Sequence, residues 1–156
     1  MKVFVFFIGF LFLGSSIIDL TEVRNSYRYA KESKENTEKF YELTQKTDHQ
    51  NNQLLSAYYG CALTLKASFS ERRGEKISFF KQGRKRIENA IASDPNNIEL
   101  RMIRLSVQTS APRITRYYKN IDGDKKFIIE NIDKVSSSNL KEFIKGFMSK
   151  SSAFTE

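Results

Sequence analysis

From Gln53 to Ala67 the chain reads QLLSAYYGCALTLKA, apolar almost all the way round a helical wheel. A helix with no polar face has to be covered on every side, so the fold must be assembled around this segment. Its small residues Ala57, Gly60, Cys61 and Ala62 let a neighbouring helix approach closely. Elsewhere no stretch combines β-branched alternation with paired turn residues, whereas helical periodicity returns again and again.

The remaining helices follow from caps and breakers. Asp19-Leu-Thr-Glu22 has the form of a capping box and opens a helix carrying Val23, Tyr27 and Ala30 on one face. Ser33 caps a second helix that buries Phe40, Tyr41 and Leu43, and Asp48–Asn52 is a loop. After the central helix, Ser68–Glu75 reads as a loop, and a fourth helix places Ile77, Phe80, Gly83, Ile87, Ala90 and Ile91 at helical spacing. Asp94-Pro95-Asn96-Asn97 ends it, because proline cannot continue a helix and suits the start of the next. Ile98–Gln108 is the fifth, closed by Ser110-Ala-Pro112. A sixth starts around Asp122-Gly-Asp124 with Phe127, Ile128, Ile132 and Val135 inward. Asn139, followed by Glu142, caps a last helix with Leu140, Phe143, Ile144, Phe147 and Met148 on one face.

Ahead of all this, Met1-Lys2 precedes an uncharged run from Val3 to Gly14 and then Ser15-Ser16. A basic start, an apolar stretch of about a dozen residues and small residues at Gly14 and Ser16 match a secretory signal peptide cleaved after Ser16. The alternative is an N-terminal membrane anchor, since Ile17, Ile18 and Leu20 extend the apolar character, although Ser15, Ser16 and Asp19 interrupt the roughly 20 apolar residues a span needs. The expected organisation is therefore a signal peptide over 1–16, one all-helical domain over 17–148 and a frayed tail over 149–156, in an exported protein of the periplasm or cell envelope.

Gly83, Ile87, Ala90 and Pro95 keep the small, large, Ala, Pro spacing of the second helix and closing turn of a tetratricopeptide repeat (TPR), and Tyr59-Gly60 resembles the Leu-Gly pair of its first helix. Residues 54–97 span the one recognisable repeat. It departs from the pattern in two places. About eleven extra residues separate its helices, from around Ala67 to Ile77, and Arg101 and Arg104 stand where the following helix usually carries large apolar residues. The wider run YYGCALTLKA … KQGRKRIENAIASDPNNIELRMIRLSVQTSAP resembles small exported proteins of the Bacteroidota with a divergent repeat of this kind. The resemblance implies a fold and an envelope location, and no reaction. The expected fold is all-α: stacked antiparallel helical hairpins, TPR-like, about seven helices after the signal peptide.

Charge is the other strong feature. The chain has 26 Lys+Arg against 18 Asp+Glu, and Lys66–Lys126 alone holds 15 against 7. Arg72, Arg73, Lys76, Lys81, Arg84, Lys85 and Arg86 form one cluster; Arg101, Arg104, Arg113, Arg116 and Lys119, beside Tyr117 and Tyr118, form another. Such a surface attracts an acidic protein, an anionic membrane surface or a polyanionic glycan, or simply keeps a small protein soluble. Nucleic acid is not expected for an exported chain. Arg101 and Arg104, three apart, can grip a carboxylate or phosphate with both forks, or can pair with Asp94, Glu88 or Glu99 and pin adjacent hairpins.

Enzymatic signatures are absent. One His and one Cys exclude a disulfide within the chain and a Cys/His metal site. His49 is read as a solvent-facing loop residue and Cys61 as a small core residue. Asn120–Asp124 lacks the glycine and terminal Glu of a calcium loop, so Asp122-Gly123 is read as a turn. Glu35, Glu38 and Glu42 beside Lys31, Lys34 and Lys39 read as surface pairs, and Tyr58, Tyr59, Phe79 and Phe80 as core. No cofactor and no catalytic residue is expected. The leading expectation is a non-enzymatic module presenting a groove to a protein partner, with Arg84, Arg101, Arg104, Arg116 and Tyr118 as contact residues. The alternative is electrostatic binding of an anionic envelope surface or polyanion through residues 72–126. The sequence does not specify the oligomeric state.

Overall fold

The computed structural model describes residues 19–155; the expected signal segment lies outside them. Eight helices follow one another: α1 Leu20–Tyr29, α2 Lys34–Gln45, α3 Gln53–Phe69, α4 Arg73–Ser93, α5 Ile98–Ser110, α6 Ile121–Asn131, α7 Ser138–Met148 and α8 Ser152–Thr155. Two 3-10 turns, Arg113–Thr115 and Ile132–Lys134, interrupt the connections, and the described residues contain no strand. The helices pack antiparallel along the chain. α3 lies between α2 and α4, α5 reaches both α3 and α4 and packs on α6, and α8 closes against α5, α6 and α7.

Local chemistry sets most of the boundaries. Asp19, Ser33, Asn52, Asn97 and Ser137 each accept a hydrogen bond from a backbone N–H of the first turn they precede, which satisfies donors a helix start leaves open. The cap of α7 is thus Ser137, two residues before the expected Asn139. Asn97, rather than Pro95, launches α5; the Pro95 carbonyl instead accepts from Arg101 Nε and Nη2 at 3.0 and 2.9 Å.

The centre of the molecule is the α3–α4 crossing. Gly60 and Gly83 face each other so closely that a Cβ on Gly60 would lie 2.7 Å from the Gly83 carbonyl oxygen. Around them Ala57, Tyr58, Ala62, Ile87 and Ala90 are fully buried and Cys61 nearly so. Tyr27, Phe40 and Tyr58 meet edge-on and extend this core to α1 and α2. Burial pushes the Cys61 thiol up to about 12, so it stays protonated and unreactive at neutral pH.

Several expectations are corrected. The extra residues between α3 and α4 do not form a long loop: both helices run on, and only residues 70–72 connect them. The extension carries α4 beyond the core at its start, so Ile77 is 45% exposed and Phe79 and Phe80 are only half-buried. Asp122-Gly123 lies inside the first turn of α6. After Ser149 the chain forms the short α8, Ser151 is buried, and Phe154 meets Phe147 edge-on at 6.1 Å. His49 is half-buried and stacks on Tyr59 with ring centroids 4.4 Å apart.

Candidate functional site

Arg101 and Arg104 do grip a carboxylate with both forks, and it belongs to the chain itself. Arg104 Nε and Nη2 donate to Asp124 Oδ2 and Oδ1 at 2.7 and 2.8 Å, and Arg101 Nη1 donates to Oδ1 at 3.0 Å. Arg104 Nη1 also reaches Glu88 at 3.0 Å. Asp124 is completely buried at the N-terminal turn of α6, where the helix dipole also favours negative charge. Burial works against the Arg104 charge, but its bonds to Asp124 and the field of Glu88 outweigh it and hold the guanidinium above its ordinary range. The same device recurs between α1 and α5, where Arg24 meets the buried Glu99 at 2.6 and 2.7 Å and the Tyr58 hydroxyl donates to the same carboxylate. Burial first, and then Glu99, raise the Tyr58 pKa well above its usual value. Arg101 and Arg104 therefore pin α5 to α6, and Arg104 also ties α5 to α4 through Glu88. Of the three internal partners expected, Glu88 is used, while Asp124, the main one, is not among them.

Consuming these arginines leaves a different basic surface. The α5–α6 connection runs from Pro112 to Asn120, and Tyr117 anchors it: the ring is 3% exposed, meets Phe80 edge-on at 6.1 Å, lies 4.8 Å from the Arg84 guanidinium and donates its hydroxyl to Glu88 at 2.7 Å. Burial, and then Glu88, raise its pKa. This one side chain joins the two basic clusters of the sequence. Arg84 and Arg116 are exposed on either side of it and Tyr118 is half-exposed. Among the described residues, Arg73, Lys76, Lys81, Arg84, Lys85, Arg113, Arg116 and Lys119 make no ion pair. Arg116 adopts the left-handed conformation, φ 52°, which turns the connection sharply just before Tyr117. Ile114, just ahead of it, is 89% exposed.

A second feature lies on another side of α4. His49, Gln53, Ser56, Gln82, Arg86 and Asn89 line a depression of about 780 Å³. Arg86 lies 4.7 Å from the Tyr59 ring, and the His49 Nδ1 is buried without a hydrogen-bond partner. Desolvation first, and the Arg86 charge next, lower the His49 pKa. Among the described residues no three His, Cys, Asp or Glu converge as metal ligands would, and no helix is long and apolar enough to cross a membrane.

No family model, curated protein or solved structure matches the chain.

Proposed function

We propose that this chain is an exported, non-enzymatic module of the periplasm or cell envelope. In this reading its helical hairpins stack in the manner of tetratricopeptide repeats and carry a basic face that docks on an anionic envelope surface. The Gly60–Gly83 crossing and the buried Ala90 support the repeat-like stacking, because they put small residues where two helices of such a hairpin touch. The observation that carries the docking is Tyr117, which brings cations of α4 and of the 113–119 connection onto one surface, while Arg101 and Arg104 are neutralised internally by Asp124.

The test is cosedimentation with vesicles containing acidic lipid and retention on an immobilised polyanion, each across a salt series. Each cation near an anionic surface contributes about 1 kcal/mol, falling off within a Debye length. Reversing Arg113, Arg116 and Lys119 to Glu should therefore lower affinity by about 100-fold or more at low salt. Unchanged binding, or binding indifferent to salt, would remove the reading.

A groove for a protein partner is the second reading, and the depression beside His49 favours it through its unpaired Nδ1 and its many amide and hydroxyl groups. It predicts that Arg86→Gln, and not the loop reversals, changes which proteins crosslink to the chain in cells.

A further inference from the structure

We propose that the α5–α6 connection is a hook that enters lipid: Ile114 inserts at the boundary between headgroups and acyl chains of an anionic bilayer, while Arg113, Arg116, Lys119 and Arg84 lie at the phosphates. This rests on the docking reading above and names its ligand as lipid rather than glycan or acidic protein.

The first observation is the tip itself. Ile114 is the most exposed large apolar side chain among the described residues, and it lies in a stretch, Thr109–Ile121, that contains no acidic residue. A hydrated glycan offers nothing to bare aliphatic surface, whereas a bilayer buries an aliphatic side chain without needing a shaped pocket. Tyr118, half-exposed four residues on, has the apolar body and polar tip that sit well at headgroup level.

The second observation is rigidity. The Thr115 N–H and hydroxyl both donate to the Pro112 carbonyl, at 2.9 and 2.7 Å, and the Arg116 N–H donates to the Arg113 carbonyl at 3.0 Å. The Tyr117 N–H then donates to Thr115 Oγ1 at 3.3 Å, and its buried ring clamps the loop to α4. The tip is held out before any ligand arrives, so little ordering entropy remains to be lost on binding.

The third is charge complementarity. Glu88, the carboxylate next to the loop, has one oxygen bonded to Tyr117 and the other to Arg104, which leaves the flanking cations without a local counter-ion. Positive charge surrounding one exposed aliphatic side chain matches anionic headgroups overlying hydrocarbon.

The chain has no Trp, so Ile114→Trp supplies a single indole fluorophore at the tip. The experiment uses the full chain and three surfaces: vesicles rich in phosphatidylglycerol, vesicles of phosphatidylcholine, and soluble polyphosphate. Ile114→Ser should weaken binding to the acidic vesicles by roughly 10- to 100-fold and leave polyphosphate binding and thermal stability unchanged. The Ile114→Trp variant should shift its emission to the blue on acidic vesicles and be quenched by lipids brominated on the acyl chain. If Ile114→Ser binds acidic vesicles like the parent, or the indole is not quenched, the hook is overturned while the electrostatic reading survives. Loss of polyphosphate binding in Ile114→Ser would also overturn it, by showing that the tip serves a soluble polyanion. If the parent binds neither acidic vesicles nor polyphosphate, the docking reading falls and the hook with it.

Discussion

Placing a methyl group on Gly83 probes the contact around which the molecule is built. A Cβ there would run into the Gly60 carbonyl oxygen and lie 2.7 Å from Thr64 Cγ2 and 3.1 Å from the Thr64 nitrogen. Two of the three atoms are helix backbone, so no side-chain rotation relieves the clash and α3 and α4 must separate. Restoring ordinary contact takes roughly 0.7 Å or more, and a gap of that size along the seam forfeits a quarter to a half of the dispersion attraction across it. Overpacking of this kind costs about 1–3 kcal/mol, while alanine's better helix propensity returns up to about 1. A net loss of about 1–2 kcal/mol corresponds to a fall in Tm of roughly 2–8 °C. Gly146 supplies the control: it lies in α7 with nothing within 4 Å of an added Cβ. Gly146→Ala should gain up to about 1 kcal/mol from propensity alone. Thermal melts of the two variants, followed by circular dichroism, make the comparison. If Gly83→Ala stabilises the protein as much as Gly146→Ala does, the two helices do not meet at these glycines and the packing argument is wrong.

Asp124→Ala leaves Arg104 buried without its main counter-charge and should cost about 3–5 kcal/mol in urea unfolding. The paired change Arg104→Met with Asp124→Leu should lose much less, since it removes both charges and keeps the volume filled; equal losses would show that the ion pair is not what the site depends on. For His49 the sign of the pH effect is fixed by its lowered pKa in the folded state. Its contribution to stability is complete above the unfolded value near 6.5 and is lost as pH falls through the folded value, because the unfolded chain takes up the proton first. His49→Gln should therefore flatten the decline of Tm between about pH 7 and pH 5, and an unaltered decline would mean that His49 is not its source.

Helix positions were legible in the sequence because caps and breakers are local: Asp19 and Ser33 act on N–H groups two or three residues away, and a reader needs no tertiary knowledge to find them. The Gly60–Gly83 crossing was legible for a related reason, since small residues at helical spacing have few other uses in a buried seam. What the sequence concealed is long-range. Asp124 looks like part of an Asp-Gly turn until α6 starts three residues earlier and buries it under two arginines from α5. The stretch around Ala67–Ile77 looked like a loop because it is polar; helices that project past their core are polar too, and only the missing partner distinguishes the two. Tyr117 and Tyr118 are neighbours of one residue type with opposite fates, one clamped beneath Arg84 and the other half in solvent. The left-handed turn at Arg116 comes just ahead of both, and nothing in Arg-Tyr-Tyr announces which of the two will be buried.

The two arginines on the buried side of α5 have a consequence for where the free charge lies. An apolar seam between α5 and α6 could slide by a turn at small cost, whereas the forks of Arg101 and Arg104 accept Asp124 in one register only. That register fixes the far end of the 112–120 connection, and Tyr117 fixes its middle by bonding to Glu88, which the same Arg104 also holds. The exposed tip is therefore supported from both sides by one buried network. Weakening the network at Asp124 should loosen the tip as well as the fold. Conversely, a change at Ile114, which touches none of it, should alter binding alone. That asymmetry separates a surface shaped for contact from a cation cluster that only keeps the protein soluble: if Asp124→Asn, in a background that remains folded, leaves acidic-vesicle affinity at the parental value, the geometry of the tip is irrelevant and charge alone accounts for the binding.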